Sequence, residues 1–167
     1  MIKAIVCVDE NWSIGKDNDL LFHLKEDMKF FKAKTTDQIV FCGYNTLISF
    51  PKSTPLKNRS TICICPSEVN RDDCFCVHDF NTALSLVKEL SKTQDIYVIG
   101  GAMLYKAMLP YYDYIYVTKV KSDGEGTSFF PNLDTNSEFE LIETSPDIID
   151  NNYTINFCTY KRVNVND

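Results

Sequence analysis

The sequence lacks an apolar run long enough to cross a membrane, because its longest runs, at 96–99 and 102–109, fall far short of the ~20 residues that a spanning helix needs. It also lacks the basic lead and cleavage site of a signal peptide, so the start of the chain is interpreted as a strand. No clustered basic patch is present and the formal net charge is −6. These absences predict a protein that binds neither membranes nor nucleic acid.

The seven cysteines include no C-x-x-C pair, and the chain has only two histidines that could join them at a metal. Cys63 and Cys65, like Cys74 and Cys76, are spaced by two and therefore share one face of a strand. We interpret them as buried structural thiols, with metal binding and disulfide bonds as the alternatives; no metal site is predicted. Such thiols are typical of the reducing cytoplasm, which is the expected location.

No repeat, low-complexity tract or linker interrupts the chain, so residues 1–167 are predicted to form a single domain. Apolar, β-branched runs predict eight strands, at Lys3–Val8, Ile39–Cys42, Ser60–Cys65, Phe75–Val77, Ile96–Ile99, Tyr114–Val120, Phe139–Glu143 and Ile155–Lys161. Helical periodicity predicts four helices, at Lys25–Lys34, Asn45–Ser49, Thr82–Ser91 and Ala102–Leu109. The alternation predicts an α/β fold with a central, mostly parallel twisted sheet and flanking helices. The last two strands follow each other without a helix, which predicts an antiparallel C-terminal edge strand.

One acidic residue lies on the apolar side of the first predicted helix. At about 100° per residue, Leu24, Met28 and Phe31 form a narrow apolar stripe, and Asp27 lies on it. Burying an unpaired carboxylate costs several kcal/mol or forces its protonation, so this position indicates either a partner or a functional role. A first-turn aspartate favoured by the helix dipole is the alternative, but it explains the position along the helix and not the face.

Two predicted strands run into glycine and then into a helix. Gly100 and Gly101 follow Ile96–Ile99, and Gly43 follows Ile39–Cys42. Glycine lets a pyrophosphate approach closely, and a helix N-terminus offers free N–H groups to an anion. The pattern is not the G-x-G-x-x-G fingerprint, and a tight turn is the alternative interpretation. Together the two junctions would bind the two ends of one dinucleotide.

Several segments match, in order and at fixed spacing, the motifs of one enzyme family. Its opening motif is matched without a gap by Asp9, Asn11, Ile14, Gly15, Asn18, Leu20, Leu24, Asp27, Phe31, Lys32 and Thr35. Later matches are Gly43 with Thr46, Pro55-Leu56 with Arg59, Val98–Gly101 with Tyr105, and Glu125-Gly126 with Phe130-Pro131. Taken together, the chain resembles dihydrofolate reductase over nearly its whole length.

The resemblance implies reduction of 7,8-dihydrofolate to tetrahydrofolate by hydride transfer from NADPH, with protonation of N5, in support of one-carbon metabolism and of thymidylate and purine synthesis. It implies that Asp27 accepts hydrogen bonds from the pterin 2-amino group and N3, and that the Thr118 hydroxyl holds that carboxylate. The proton would reach N5 through an ordered water or a pterin enol. Arg59 would pair with the α-carboxylate of the substrate's glutamate. The side chains implied to contact the pterin and benzoyl rings are Ile5, Val6, Met28, Phe31, Phe50 and Ile99.

The resemblance also implies a cofactor site with a lid over the nicotinamide at 15–20. The residues implied to bind the cofactor are Cys7, Ile14, Gly15, Asn18, Leu20, Gly43, Tyr44, Asn45, Thr46, Ile64, Cys65, Ile99, Gly100, Gly101, Ala102, Met103, Leu104 and Tyr105. A monomer that binds antifolate inhibitors is expected from the family.

The cofactor half departs from the family pattern. Tyr44 stands where many relatives carry an arginine that binds the cofactor 2′-phosphate, Met103 stands where another basic residue is common, and Cys65-Pro66 replace phosphate-binding serines. Arg–phosphate pairs are strong and bidentate, so their absence is expected to cost on the order of 1–3 kcal/mol. We therefore expect a weaker preference for NADPH than usual, with NADH usable.

The lid departs as well. Leu21-Phe22 replace the family's Pro-Trp, which removes an indole N–H bond to an active-site water, and Lys25 replaces a second proline. We expect these changes to alter the rate without abolishing it. Leu20, Phe22 and Phe50 are expected to weaken antifolates such as trimethoprim.

Two other interpretations are open from the sequence. A fold-related reductase of riboflavin synthesis also uses NADPH, but it lacks the helix carboxylate at Asp27. A binding or structural protein that kept the fold and lost activity would explain the changes at Tyr44, Met103 and Phe22. An absorbance assay at ~340 nm with dihydrofolate separates the three.

Overall fold

The computed structural model describes residues 1–16, 19–20 and 22–163. The strands are β1 (Ile2–Val8), β2 (Ser13–Lys16), β3 (Asp19–Leu20), β4 (Ile39–Gly43), β5 (Ser60–Ile64), β6 (Phe75–Val77), β7 (Ile96–Gly100), β8 (Tyr114–Val120), β9 (Ser128–Phe129), β10 (Phe139–Thr144), β11 (Ile148–Asp150) and β12 (Tyr153–Arg162). The α-helices are α1 (Lys25–Thr35), α2 (Tyr44–Ser49), α3 (Phe80–Leu90) and α4 (Ala102–Ala107). No helix within the described residues is long and apolar enough to span a bilayer.

The main sheet has the strand order β10-β12-β8-β1-β7-β4-β5-β6, and the short β11 pairs with β12. The pairs from β8 through β6 are parallel, whereas β12 runs antiparallel to β8, β10 and β11. The predicted mostly parallel sheet, its antiparallel C-terminal strand and its four helices are confirmed. The predicted edge position of the C-terminal strand is wrong, because β10 and β11 pair with the outer side of β12.

A second, smaller sheet has the order β3-β2-β9 and was not predicted. Its strands are only two to four residues long and include polar side chains and glycine. Such strands lack the alternating apolar pattern from which a strand is recognised, and tertiary contacts decide whether they form.

The main sheet is covered on both faces, which explains why its strands are nearly continuous apolar runs. Side chains alternate between the faces, so neighbours in β1 enter different clusters. Val6 packs in the large cluster with Val87 of α3 and Leu104 of α4. Ile5 packs on the other face with Phe31 of α1.

All the parallel strands end at the same edge of the sheet. Ligands of open α/β sheets bind at the carboxyl ends of the strands. The loops and short helices after β1, β4, β5 and β7 therefore converge on one candidate site.

Candidate active site

The carboxylate of Asp27 is held by two neighbouring strands of the main sheet. β1 and β8 pair in parallel with Cys7 opposite Thr118, so both side chains reach the same place. The Thr118 hydroxyl donates to Asp27 Oδ1 at 2.6 Å, and the Cys7 thiol is also hydrogen-bonded to the carboxylate. Asp27 is partly buried rather than turned into bulk solvent. The Thr118 contact is the one that the resemblance implied, whereas Cys7 was implied only as a cofactor residue.

The electrostatic surroundings raise the pKa of Asp27 above its usual value. Burial is the largest cause of the rise, while the hydrogen bonds from Thr118 and Cys7 oppose it. The negative charge of Asp150 raises the pKa further. Burial and the Asp27 charge also raise the pKa of the Cys7 thiol well above its ordinary range, so that it stays protonated and can donate. The site therefore contains a carboxylate that takes up a proton more readily than a solvated aspartate.

Asp150 also caps the helix that carries Asp27. Leu24 is the N-cap residue of α1 and makes no side-chain cap. Asp150 supplies the missing acceptor: Oδ1 accepts from Lys25 N at 3.1 Å, and Oδ2 accepts from Glu26 N at 2.7 Å. Sequence reasoning missed this residue. The available signal was the absence of Ser, Thr, Asp or Asn before the helix, which leaves orphan N–H groups in need of a remote partner.

The apolar face of α1 differs in part from the predicted stripe. Phe31 packs with Ile5, as does Phe30, which the stripe did not include. Leu24 is buried, but it precedes the helix. Met28 shares the stripe with Phe31 but is 67% exposed. The helix contacts the sheet through its two phenylalanines, and Met28 faces outward beside Asp27.

Arg59 lies at the far end of the same helix. Its Nε donates to Thr35 Oγ1 at 3.2 Å and its Nη1 donates to Lys57 O at 2.8 Å. The guanidinium also lies over the Phe31 ring, 5.9 Å from its centroid. Burial lowers the pKa of Arg59, but a guanidinium remains protonated at neutral pH. A fixed cation therefore stands at the C-terminal end of α1, and a carboxylate stands near its start.

The two strand–glycine–helix junctions meet. β4 and β7 are parallel neighbours with Cys42 opposite Gly100. A Cβ on Gly100 would lie 3.3 Å from Thr46 Oγ1 in the next junction, and one on Gly101 would lie 3.5 Å from the same atom. Gly100 also has a φ of 128°, which favours glycine. The glycines thus keep the backbone open where the sequence predicted close approach of a ligand.

The helix after Gly101 connects this junction to the sheet core. The Tyr105 hydroxyl donates to Ile5 O at 2.8 Å, and burial raises its pKa, so it remains a neutral donor. Leu104 is buried beside it, whereas Met103 is 89% exposed. Tyr105 and Leu104 therefore hold α4 against the sheet. Met103 lies at the surface, where packing does not require an apolar side chain.

The residues at the ends of β4 and β5 lie on one flank of the glycine junctions. Tyr44 and Phe50 are partly buried against a cluster that also contains Ile99 and Cys65. His78 lies beside the end of β5, with Nδ1 3.2 Å from the Cys65 carbonyl oxygen. Asn45 is exposed on α2 and Ile64 is partly buried at the end of β5. Val6 and Ile64 instead pack in the large cluster on the opposite face of the sheet.

The turn between β1 and β2 is held by a buried aspartate, which the family motif matched without implying a role. Asp9 is 3% exposed and accepts backbone hydrogen bonds from Ser13 at 2.8 Å and, across the loop, from Gly124 at 2.8 Å. Gly15 accepts from Thr127 N at 2.8 Å. Ile14 is partly buried in the main cluster. Asn18 lies outside the described residues, as does the side chain of Leu20.

Comparison with known proteins identifies the family. A family model described as dihydrofolate reductase matches residues 1–162. The Bacillus subtilis dihydrofolate reductase is 34% identical over 167 residues, covering 98% of this chain and 96% of the relative. The Schistosoma mansoni dihydrofolate reductase is 34% identical, with 95% of each chain covered.

A solved structure gives the same answer for the fold. It is described as dihydrofolate reductase from Enterococcus faecalis complexed with NADP(H) and RAB-propyl, and it matches with a TM-score of 0.84, 32% identity and coverage of 98% of this chain and 97% of that one. The resemblance inferred from motifs is confirmed, and the riboflavin-reductase interpretation is set aside. This chain is an oxidoreductase that belongs to the dihydrofolate reductase family.

Proposed function

We propose that this enzyme reduces 7,8-dihydrofolate to tetrahydrofolate with NADPH, adding a hydride to the pterin and a proton at N5. The observation that carries the proposal is the pair of charged groups at opposite ends of α1. Asp27 and Thr35, which binds Arg59, are eight positions apart in the helix, about 12 Å at ~1.5 Å per residue. This arrangement suits a long substrate with an amidine-like head and an anionic tail.

Asp27 binds the head of the substrate. A carboxylate offers about four lone-pair sites, and the Thr118 hydroxyl and Cys7 thiol use some of them. The remaining sites accept from the pterin 2-amino group and N3, a bidentate and charge-assisted pairing. Thr118 and Cys7 keep the carboxylate in one orientation before the substrate arrives, which reduces the entropy that binding must overcome.

The same carboxylate supplies the proton indirectly. Once Asp27 is paired with N3 and the 2-amino group, N5 lies beyond its reach, so the proton passes through an ordered water or the pterin enol. The raised pKa of Asp27 favours this role, because the protonated form is populated closer to neutral pH.

Arg59 binds the tail. Its guanidinium is oriented by Thr35 and Lys57 and stacked on Phe31, so it is ready to pair with the α-carboxylate of the glutamate. Ile5, Phe31, Phe50 and Ile99 contact the rings between the two ends, and Met28 at the rim adds an exposed apolar contact.

The glycine junctions are suited to a nicotinamide dinucleotide. A β-carbon on Gly100 would lie 3.3 Å from Thr46 Oγ1, a tight contact, and the φ of 128° at Gly100 also favours glycine. The cofactor, when bound, supplies the hydride. Tyr105 positions α4 against the strand that carries Cys7, and the segment anchored by Asp9 excludes water from the reacting rings.

We also propose that the enzyme uses NADH better than its relatives do. Tyr44 and Met103 provide no positive charge for a 2′-phosphate, and the Cys65 thiol is a weaker donor than a serine hydroxyl. The His78 imidazole lies at the same strand end, with its Nδ1 3.2 Å from the carbonyl oxygen of Cys65.

The remaining expectations belong to the same proposal: a monomer that acts in the cytoplasm and takes antifolates at the dihydrofolate site. The seven cysteines are all free thiols, which supports a reducing compartment.

Absorbance at ~340 nm tests the function directly. We expect the protein to oxidise NADPH in the presence of dihydrofolate and, more slowly, NADH. Asp27→Asn should nearly abolish both rates, whereas Glu26→Gln, a neighbouring and exposed charge change, should leave them intact. A wild-type protein that binds dihydrofolate but does not reduce it would contradict the proposal.

A further inference from the structure

Five of the seven cysteines lie together beside the glycine junctions, in or next to the strands β4, β5 and β6. This thiol cluster consists of Cys42, Cys63, Cys65, Cys74 and Cys76. Strand register explains the grouping, because Cys42 is opposite Cys63 in the β4–β5 pair and Cys63 is opposite Cys76 in the β5–β6 pair. The cluster therefore spans three adjacent parallel strands. Of its five thiols, the proposed function assigns only Cys65 to the cofactor and gives the other four no role.

In two of these cysteines the sulfur atoms lie closer together than van der Waals packing would bring them. The Cys76 and Cys65 sulfur atoms are 2.8 Å apart, and both residues are free thiols. Cys65 follows the last residue of β5, and its N–H donates to Val77 O at 2.7 Å, so the backbone holds the two side chains in place. Within the described residues, no group of three or more Cys, His, Asp or Glu side chains could hold a metal ion. Proximity of this kind favours covalent pairing.

Exposure sets the order in which the two thiols react. Cys65 is 2% exposed, whereas Cys76 is partly exposed on the edge strand β6. Burial raises the pKa of Cys65, so its thiol is protonated at neutral pH. An oxidant in solution therefore meets Cys76 first, and Cys65 is the nearest thiol for the second step.

We propose that Cys65 and Cys76 are a redox modification site, which a hydroperoxide converts to an intramolecular disulfide. In the first step, the Cys76 sulfur attacks the peroxide; the O–O bond breaks, an S–O bond forms and an alcohol or water leaves with the thiol proton. In the second, the Cys65 sulfur displaces the hydroxyl group, which leaves as water with the Cys65 proton. Two thiols lose two electrons, and the hydroperoxide gains them.

The disulfide would join the edge strand β6 to β5 and close the loop at 66–75. It would also lie beside Ile64 and Cys65, which the proposed function assigns to the cofactor, and this part of the inference rests on that assignment. A fixed strand end and a lost thiol donor should weaken binding of the 2′-phosphate. The KM for NADPH should rise about threefold or more, while the KM for dihydrofolate stays constant.

The experiment compares fully reduced protein with protein treated with one equivalent of hydrogen peroxide. We expect a mass loss of about 2 Da, reversal by dithiothreitol, a Cys65–Cys76 linked peptide, and a Tm higher by about 5–10 °C. Cys76→Ser should abolish the mass loss. Cys74→Ser, a matched change in the same cluster, should retain it. If Cys76→Ser does not fold, peptide mapping of the wild type decides.

Different failures remain distinguishable. Oxygen addition without a linked peptide, or a disulfide between other cysteines, overturns the modification site. A linked peptide with an unchanged KM for NADPH overturns only its effect on the cofactor. Reduced protein that lacks dihydrofolate reduction contradicts the proposed function, while the mass and Tm readouts still decide the fate of the thiol pair.

Discussion

The two halves of the candidate site differ in how closely they follow the family. The half proposed for dihydrofolate keeps Asp27, Thr118 and Arg59, and each has a defined partner in the structure. The half proposed for the cofactor keeps the glycines and Tyr105, but Tyr44 and Met103 replace basic residues. The backbone features of the cofactor half are thus retained and its side-chain charges are not.

This difference separates two kinds of requirement. Reaction chemistry depends on one carboxylate in one environment, and a change there removes the function. Cofactor selectivity is a difference between two affinities, and charged side chains at the rim can change it without altering the fold. The half that reacts should therefore be intolerant of substitution, and the half that selects the cofactor should be adjustable.

The largest expected effect is that of Asp27→Asn. The amide keeps an acceptor for Thr118 but can neither carry the charge nor hold the proton, so kcat/KM for dihydrofolate should fall by about 10²–10⁴. Steady-state kinetics measure it, with Glu26→Gln as the control. A loss below tenfold would mean that the carboxylate is not at the reacting centre.

The same variant should be more stable than the wild type at neutral pH. The raised pKa of Asp27 means that the folded protein binds this proton more tightly than the unfolded chain does. Binding of this proton stabilises the fold fully at pH values below the pKa of Asp27 in the unfolded chain. The stabilisation is lost as the pH rises through the pKa of Asp27 in the folded protein. Asp27→Asn should therefore raise Tm near neutral pH and have little effect in acid. Thermal melts at both pH values check the sign.

Arg59→Met should have the next largest effect and act on binding. Losing a bidentate partner for the substrate carboxylate should raise the KM for dihydrofolate about 10–100-fold, with a smaller change in kcat. Lys57→Met, an exposed change nearby, is the matched control. Equal losses in kcat and kcat/KM would instead indicate a role in the transition state.

Tyr44→Arg tests the adjustable half. A guanidinium at this position should raise the ratio of kcat/KM for NADPH to that for NADH about tenfold or more. Tyr44→Phe removes the hydroxyl without adding charge and should leave the ratio unchanged. A wild-type enzyme that already prefers NADPH by about a thousandfold would show that other groups bind the phosphate.

The smallest effect is expected from Asp150→Asn. Among the described residues, Thr118 and Cys7 donate hydrogen bonds to Asp27, Tyr105 lies near it as a neutral hydroxyl, and Asp150 adds negative charge. Removing the charge of Asp150 should lower the pKa of Asp27. Activity that requires protonated Asp27 should then begin to fall, as the pH is raised, at a lower pH than in the wild type. Asparagine keeps only one of the two oxygens that cap α1, because its Nδ2 cannot accept a hydrogen bond, so stability should fall by about 1 kcal/mol. An unchanged pH profile together with lower stability would leave Asp150 with a purely structural role.

The fold was largely predictable because its strands and helices are long and periodic. The predicted bounds of the eight main strands and four helices agree with the structure to within a few residues. The β2-β3-β9 sheet was missed because its short strands contain polar residues and glycine, whereas the equally short β6 is an apolar Phe-Cys-Val run. The 67% exposure of Met28 was not predictable, because a stripe on a helix shows which residues share a face but not how far the neighbouring element covers it.

The sequence by itself determined the alternation of strands and helices, the glycine junctions and the family motifs, since each depends on residues close together in the chain. Only the tertiary structure decided which distant groups meet. Asp150 caps α1 from 125 positions beyond Lys25, and Cys76 meets Cys65 through the pairing of β5 with β6. The Thr118–Asp27 contact, across 91 positions, was implied by the family resemblance and not by local periodicity. Local periodicity sets the face that a side chain occupies, but strand register and helix packing set its partner, because these arise only when the sheet has assembled.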